Sequence, residues 1–196
     1  MKYIKLFESY KDSISVEDVK LIKKIQIESQ HLPIYINKGL CGLFAYIMSN
    51  YFNIANFALL YDWKDNFEIY KMLNNNMILD MPMHIVSCVG DEFMDSNGFY
   101  TLEEIKEKFF NKSSLENKIY FLKKGDELEY DFPEYGSLIV IIDKLTLMKL
   151  VRYKTYTIFK NKFEIIYTYI DNLISKNTKL INRRTIETLL KTNIND

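Results

Sequence analysis

Apolar positions recur along the chain with two periods, one helical and one alternating, and they divide it into elements. Across residues 15–30, Val16, Val19, Ile22, Ile25 and Ile27 are spaced to line one face of an amphipathic helix, and Ser15 with Asp18 forms an approximate capping box at its start. His31-Leu32-Pro33 ends that helix, because proline disfavours helical backbone in the residue before it. Gly39 precedes a second helical stretch, Cys41–Phe52, in which Leu43, Phe44, Ile47, Met48 and Tyr51 recur at helical spacing, with Cys41 at or near the first turn. Residues 56–63 are short, apolar and aromatic and predict a strand, whereas 66–80 fit no single period and contain the turn-forming Asn74-Asn75-Asn76. Met83–Val89 and Glu92–Asp95 read as two strands joined by Gly90-Asp91 into a β-hairpin, closed by Ser96-Asn97-Gly98. Thr101 and Glu104 form a capping box that opens a helix over 101–110. Residues 119–122, 128–130 and 138–142 read as strands, and from about residue 162 two helical patterns follow, split at 175–178.

There is no internal repeat. Helices first, then mostly antiparallel strands, then helices give an α+β layout. The expectation is one domain over 1–196, with a catalytic core at 38–98 and a C-terminal helical extension at 160–196.

Composition narrows the function classes. Hydrophobic residues are 48% and charged residues 27% of the 196, enough apolar surface to exclude a disordered chain, and six Gly with three Pro exclude a collagen-like or low-complexity one. Lys plus Arg and Asp plus Glu are 26 each, so no overall basic charge favours nucleic acid. The basic stretch between Lys176 and Lys191, with Arg183-Arg184, reads as a solvated helix face. No apolar run approaches the ~20 residues of a membrane span, and the charged opening MKYIKLFESY is no signal peptide. A reducing cytoplasm follows, in which Cys41 and Cys88 are thiols. The Ile-, Asn-, Lys- and Tyr-rich composition suggests an AT-rich genome, and the opening resembles the start of many tailed-phage proteins, which places the chain in a host cytoplasm.

Three residues carry candidate chemistry. Cys41 starts an apolar helix, where unpaired N–H groups and the helix dipole stabilise a thiolate; Gly39 allows the sharp turn into the helix, and Lys38 adds a cation nearby. His84, on the strand Met83–Val89, is of the type that takes a thiol proton and returns it to a leaving amine. If Gly90-Asp91 is a two-residue turn, Val89 pairs with Glu92, Val86 faces Asp95 and His84 faces Asn97. Asp95 is then a diagonal neighbour of His84 on one sheet face, within reach of the ring, and can fix its tautomer. A one-residue slip would put Asp95 on the other face, with Asn97 as the fallback orienter. Cys88 reads as a small buried residue, and His31 as a helix-end residue suited to the dipole. Cys41, His84, Cys88 and His31 are of zinc-ligand type, but there is no C-x-x-C pair and no metal site is expected.

Gly39-x-Cys41-x-x-Phe44-Ala45, with His84 on a later strand and Asp95 on the next, resembles the transglutaminase-like branch of the papain-like cysteine protease superfamily over roughly residues 38–98. The resemblance implies an α+β fold with the Cys helix packed on an antiparallel sheet, and attack on amide or thioester carbonyls through an acyl-enzyme without metal or cofactor. Gly42 stands where papain-type enzymes carry Trp, and no Gln sits at the usual place ahead of the Cys, so Asn37 or the Cys41 backbone N–H would form the oxyanion site. The expected function is thus a peptidase, deamidase, amidase or acyltransferase with a protein or peptide substrate. The alternatives are an inactive papain-like phage scaffold that binds a host protein, and a nucleic-acid-associated regulator using the basic tail.

Overall fold

Capping chemistry and apolar spacing set the helix ends. In a computed structural model that describes residues 14–31, 36, 39–52, 54–60, 83–110, 119–123, 137–159 and 163–178, helix α1 (Val16–Ser29) starts where the Ser15 hydroxyl accepts the Asp18 N–H at 3.1 Å and itself donates to the Asp18 carboxylate at 2.8 Å. Its inward face is Ile22, Ile25, Gln26 and Ser29. Val16 and Ile27, expected on that face, are instead 66% and 60% exposed. Ile27 lies two residues and therefore about 200° round the helix from Ile25.

Helix α2 (Cys41–Phe52) is buried on nearly every side, from Cys41 through Ser49 except Gly42. This is the behaviour of a helix that is apolar all round. Six strands follow one another into a single sheet: β1 (Ala55–Leu60), β2 (Met83–Val89), β3 (Glu92–Asp95), β4 (Gly98–Tyr100), β5 (Ile119–Lys123) and β6 (Ser137–Ile142), in the order β4-β3-β2-β1-β6-β5. Strands β4, β3, β2, β1 and β6 are antiparallel each to the next, and β5 pairs parallel with β6 at the edge, so the sheet is mostly antiparallel, as expected, with one parallel pair. Helix α3 (Leu102–Phe109) opens with the Thr101–Glu104 capping box. Helices α4 (Lys144–Phe159) and α5 (Phe163–Thr178) complete an α+β fold.

The sheet buries both faces. Ala58, Ile85, Met94, Val140 and Ile142 pack with Ile22 and Ile25 of α1, the body of α2, Leu147, Leu150 and Val151 of α4, and Tyr167, Ile170 and Ile174 of α5. Phe57, Leu59, Val86, Cys88, Phe93 and Ile139 point the other way, under Ile105 of α3 and Phe110. The alternation along β2 decides which residues belong to which layer.

Two expectations about the C-terminal half need correction. Helix α4 had no counterpart in the sequence pattern, although Asp143 marks its start: the carboxylate accepts the Thr146 N–H at 2.8 Å and hydroxyl at 2.7 Å, and Leu147 N–H reaches Asp143 O at 2.9 Å. Helix α5 runs through 175–178 without the expected break; the Ser175 hydroxyl is absorbed by Asn172 O one turn back at 3.3 Å. The readings of Asn37, Lys38, the Asn74 turn, the strand at 128–130, the MKYIKLFESY opening and the basic tail beyond residue 178 lie outside the described residues. No helix among the described residues is long and apolar enough to cross a membrane.

Candidate active site

The chain enters α2 through Gly39, whose φ of 95° lies in the left-handed region that glycine adopts without steric cost. Leu40 N–H donates to Ile36 O at 2.8 Å, and Phe44 N–H donates to Leu40 O at 3.0 Å, so Leu40 flanks the helix and Cys41 is its first residue. The N–H groups of the first turn therefore have no acceptor within the helix. Gly42 leaves a side chain little room: a Cβ there would lie 3.2 Å from Val151 Cγ2 and 3.4 Å from Ile85 Cγ1. The absence of the papain-type Trp at this position thus matches a helix seated directly on β2 and α4.

The β2–β3 hairpin has the expected register. Gly90 adopts φ 61° in the turn, and Val89, Cys88 and Ser87 pair with Glu92, Phe93 and Met94. The ladder ends there, three residues short of His84. His84 shares its sheet face with Val86 and Cys88, and Asp95 shares it with Phe93. The outcome is the diagonal contact: His84 Nε2 lies 2.9 Å from Asp95 Oδ2. The Cys41 thiol hydrogen-bonds the same imidazole. Cys41, His84 and Asp95 are 9%, 5% and 2% exposed, so the cluster is closed off from water.

Asn97 is not the side-chain partner opposite His84. Ser96-Asn97 forms the turn between β3 and β4, with Asp95 paired to Gly98, and Asn97 is exposed. Its contribution is a backbone N–H that donates to Asp95 Oδ1 at 2.7 Å. Tyr100 OH donates to the same oxygen at 3.1 Å. The phenol in turn accepts from Lys108 Nζ at 2.6 Å. A lysine ammonium can only donate, so the phenol's single proton is left for Asp95.

These donors settle the proton positions. Asp95 accepts from Asn97 and Tyr100 on one oxygen and faces His84 with the other. Burial opposes its ionisation, but the His84 hydrogen bond, the Asn97 N–H and the His84 and Lys108 charges outweigh burial and hold the carboxyl below its usual range. An ionised carboxylate only accepts, so His84 Nε2 carries a proton and Nδ1 is the nitrogen left for the thiol. Burial pulls the imidazole down; the Asp95 hydrogen bond, the Cys41 hydrogen bond and the charges of both partners overcome it and push His84 up to about 9. Burial and the Asp95 charge raise Tyr100 as well, which keeps it a neutral donor.

Helix α3 shields this arrangement. Phe109 stacks on the His84 ring, with centroids 4.6 Å apart and planes 16° from parallel, and meets Tyr100 edge-on at 6.0 Å. Lys108 Nζ lies 4.0 Å from the Tyr100 ring centroid. Tyr100, Lys108 and Phe109 escaped the sequence reading. The Thr101 capping box placed α3 directly after the second hairpin, but which of its residues meets His84 depends on how the helix folds back across the sheet.

Cys88 is a buried thiol that donates to Gly90 O at 3.4 Å. His31 ends α1, its N–H bonded to Glu28 O at 3.1 Å. Among the described residues no group of three or more His, Cys, Asp or Glu is arranged to hold a metal ion. In comparison with known proteins, no family model, no curated protein and no solved structure matches the chain.

Proposed function

We propose that the chain is a cysteine-dependent hydrolase or acyltransferase acting on amide bonds, with a papain-like pairing of nucleophile helix and sheet. The observation that carries the reading is His84 hydrogen-bonded on one side to Cys41, the first residue of a helix, and on the other to buried Asp95 at 2.9 Å. A thiol, a base and an orienter hydrogen-bonded in succession are what nucleophilic catalysis requires.

In the proposed reaction the proton shared by Cys41 and His84 rests on His84, which is raised to about 9, and the Cys41 thiolate attacks the amide carbonyl carbon, forming a C–S bond and an oxyanion. The backbone N–H of Cys41, in the first turn of α2, is the donor proposed for that oxyanion. The C–N bond breaks as His84 delivers its proton to the leaving amine, which leaves a thioester on Cys41. Water, or a second amine, then attacks the thioester; His84 accepts the incoming proton and returns it to the sulfur. Asp95 stays ionised throughout and holds the ring in one tautomer. The substrate under this reading is a protein or peptide, and the phage-like opening adds a host cytoplasm as its setting.

One observation favours a second reading, a binding scaffold without turnover: all three residues are nearly inaccessible to solvent. Incubation with p-nitrophenyl acetate separates the two. The enzyme reading expects a burst of p-nitrophenol and an acetyl adduct on Cys41, both lost in Cys41→Ala and strongly reduced in His84→Ala. Release no faster than in buffer, with Cys41 unmodified, would leave the scaffold.

A further inference from the structure

Helix α1 grips the turn that carries Asp95. Gln26 Nε2 donates to Asp95 O at 2.7 Å and to Gly98 O at 3.0 Å. The Ser29 hydroxyl reaches Ser96 O at 3.1 Å while also contacting Gln26 O at 2.7 Å, and Gln30 Nε2 lies 3.5 Å from Asn97 O. Positions 26, 29 and 30 stand at i, i+3 and i+4 and so share one helix face. Together they meet four consecutive backbone carbonyls, 95 to 98.

Two of these side chains, Gln26 and Ser29, are buried beside Ile22 and Ile25, where an apolar residue would ordinarily stand. Asp95 and Gly98 are the pair that closes the β3–β4 hairpin. The two amide protons of Gln26 therefore tie together the ends of both strands. Asp95 is held at its carbonyl by α1, at Oδ1 by Asn97 and Tyr100, and meets His84 through Oδ2.

We infer that Gln26 is a positioning residue for the Cys41–His84–Asp95 site: from α1 it fixes the turn whose first residue directs its carboxylate at His84. This inference rests on the functional reading above for its catalytic meaning. The titratable groups facing His84 and Asp95 are Cys41 from α2, Tyr100 from β4 and Lys108 from α3, with Glu104 of α3 acting on Tyr100. Gln26 carries no charge, so replacing it acts on His84 through the position of Asp95.

The test is Gln26→Met in the full chain, which keeps the length and removes both donors. Two quantities are read: the His84 titration by NMR, and the pH profile of Cys41 alkylation by iodoacetamide. The control is Ser87→Ala, which removes another buried hydrogen bond of β2, to Asn56 Oδ1 at 2.8 Å, from the opposite face of the strand. The expected result is a His84 pKa lower by about one unit or more and alkylation about tenfold slower near neutrality, with neither change in Ser87→Ala. An unchanged His84 titration in Gln26→Met, or an equal fall in Ser87→Ala, overturns the inference. Should Gln26→Met fail to fold, Ser29→Ala is read in the same way, with a smaller fall expected and an unchanged titration overturning it. If wild-type Cys41 alkylates no faster than a free thiol, the functional reading fails, and the His84 titration still decides the role of Gln26.

Discussion

Replacing Asp95 with Asn keeps the side-chain shape and removes its charge. In the wild type, burial opposes protonation of His84, and the Asp95 hydrogen bond, the Cys41 interactions and the Asp95 charge reverse that and lift it from 6.5 to about 9. A raised imidazole stabilises the fold fully below 6.5 and loses that contribution as pH rises through about 9. His84 then holds up to one proton more in the folded than in the unfolded state inside this window, so its share of the unfolding free energy falls by at most about 1.4 kcal/mol per pH unit. In Asp95→Asn only the Cys41 interactions still oppose burial, so His84 titrates below its wild-type value and the decline shrinks. The assay is urea unfolding from about pH 6 to about pH 9.5, with the His84 ring followed by NMR. The chain has two His, so His31→Gln assigns the signal. Tyr100 and Cys41 also respond to the change at Asp95, so the NMR titration of the ring assigns the difference between the curves to His84. Parallel curves, or a wild-type His84 that titrates near 6.5, would refute the reasoning.

Other changes test other parts of the structure. Burial raises the Asp171 carboxyl while the Tyr51 hydroxyl, donating to it at 3.0 Å, lowers it. Burial wins, so ionisation costs stability as pH rises; Asp171→Asn should raise the urea midpoint at neutral pH, and more at pH 8 than at pH 4. Gly42→Val should cost about 1–3 kcal/mol, since a Cβ already meets Val151 and Ile85 tightly and the two further methyls have to displace them; thermal unfolding reads this, and no loss would mean α2 is not seated as described. Thr101→Ala removes the α3 cap and should cost about 1 kcal/mol. Thr101→Ser should recover most of that loss.

The parts of the site that rest on local chemistry were legible in the sequence. Cys41 at the start of a helix follows from Gly39 and the apolar run behind it, and the hairpin register follows from Gly90-Asp91, which alone made Asp95 a diagonal neighbour of His84. What was not legible depends on distant parts of the chain meeting. The Phe109 stack, the Tyr100–Lys108 pair and the Gln26 grip all join residues on different elements. The second turn, Ser96-Asn97, was read as the end of one hairpin when it begins another, and this moved Asn97 away from the place expected opposite His84. The parallel pairing of β5 with β6 leaves no mark in either strand, because direction is not encoded in alternation. Helix α4 was legible and missed: Asp143 followed three residues later by Thr146, ahead of Leu147, Leu150 and Val151, is a helix start.

The most direct test of the central claim is the pH dependence of iodoacetamide alkylation of the native protein, with the modified cysteine located by mass spectrometry and wild type compared with His84→Ala. A Cys41 held against His84 should be modified faster than Cys88, with an apparent pKa well below the ~8.5 of a free thiol, and should lose that reactivity in His84→Ala. Equal, slow modification of Cys41 and Cys88, or a Cys41 profile unchanged by His84→Ala, would contradict an activated thiol and with it the proposed chemistry.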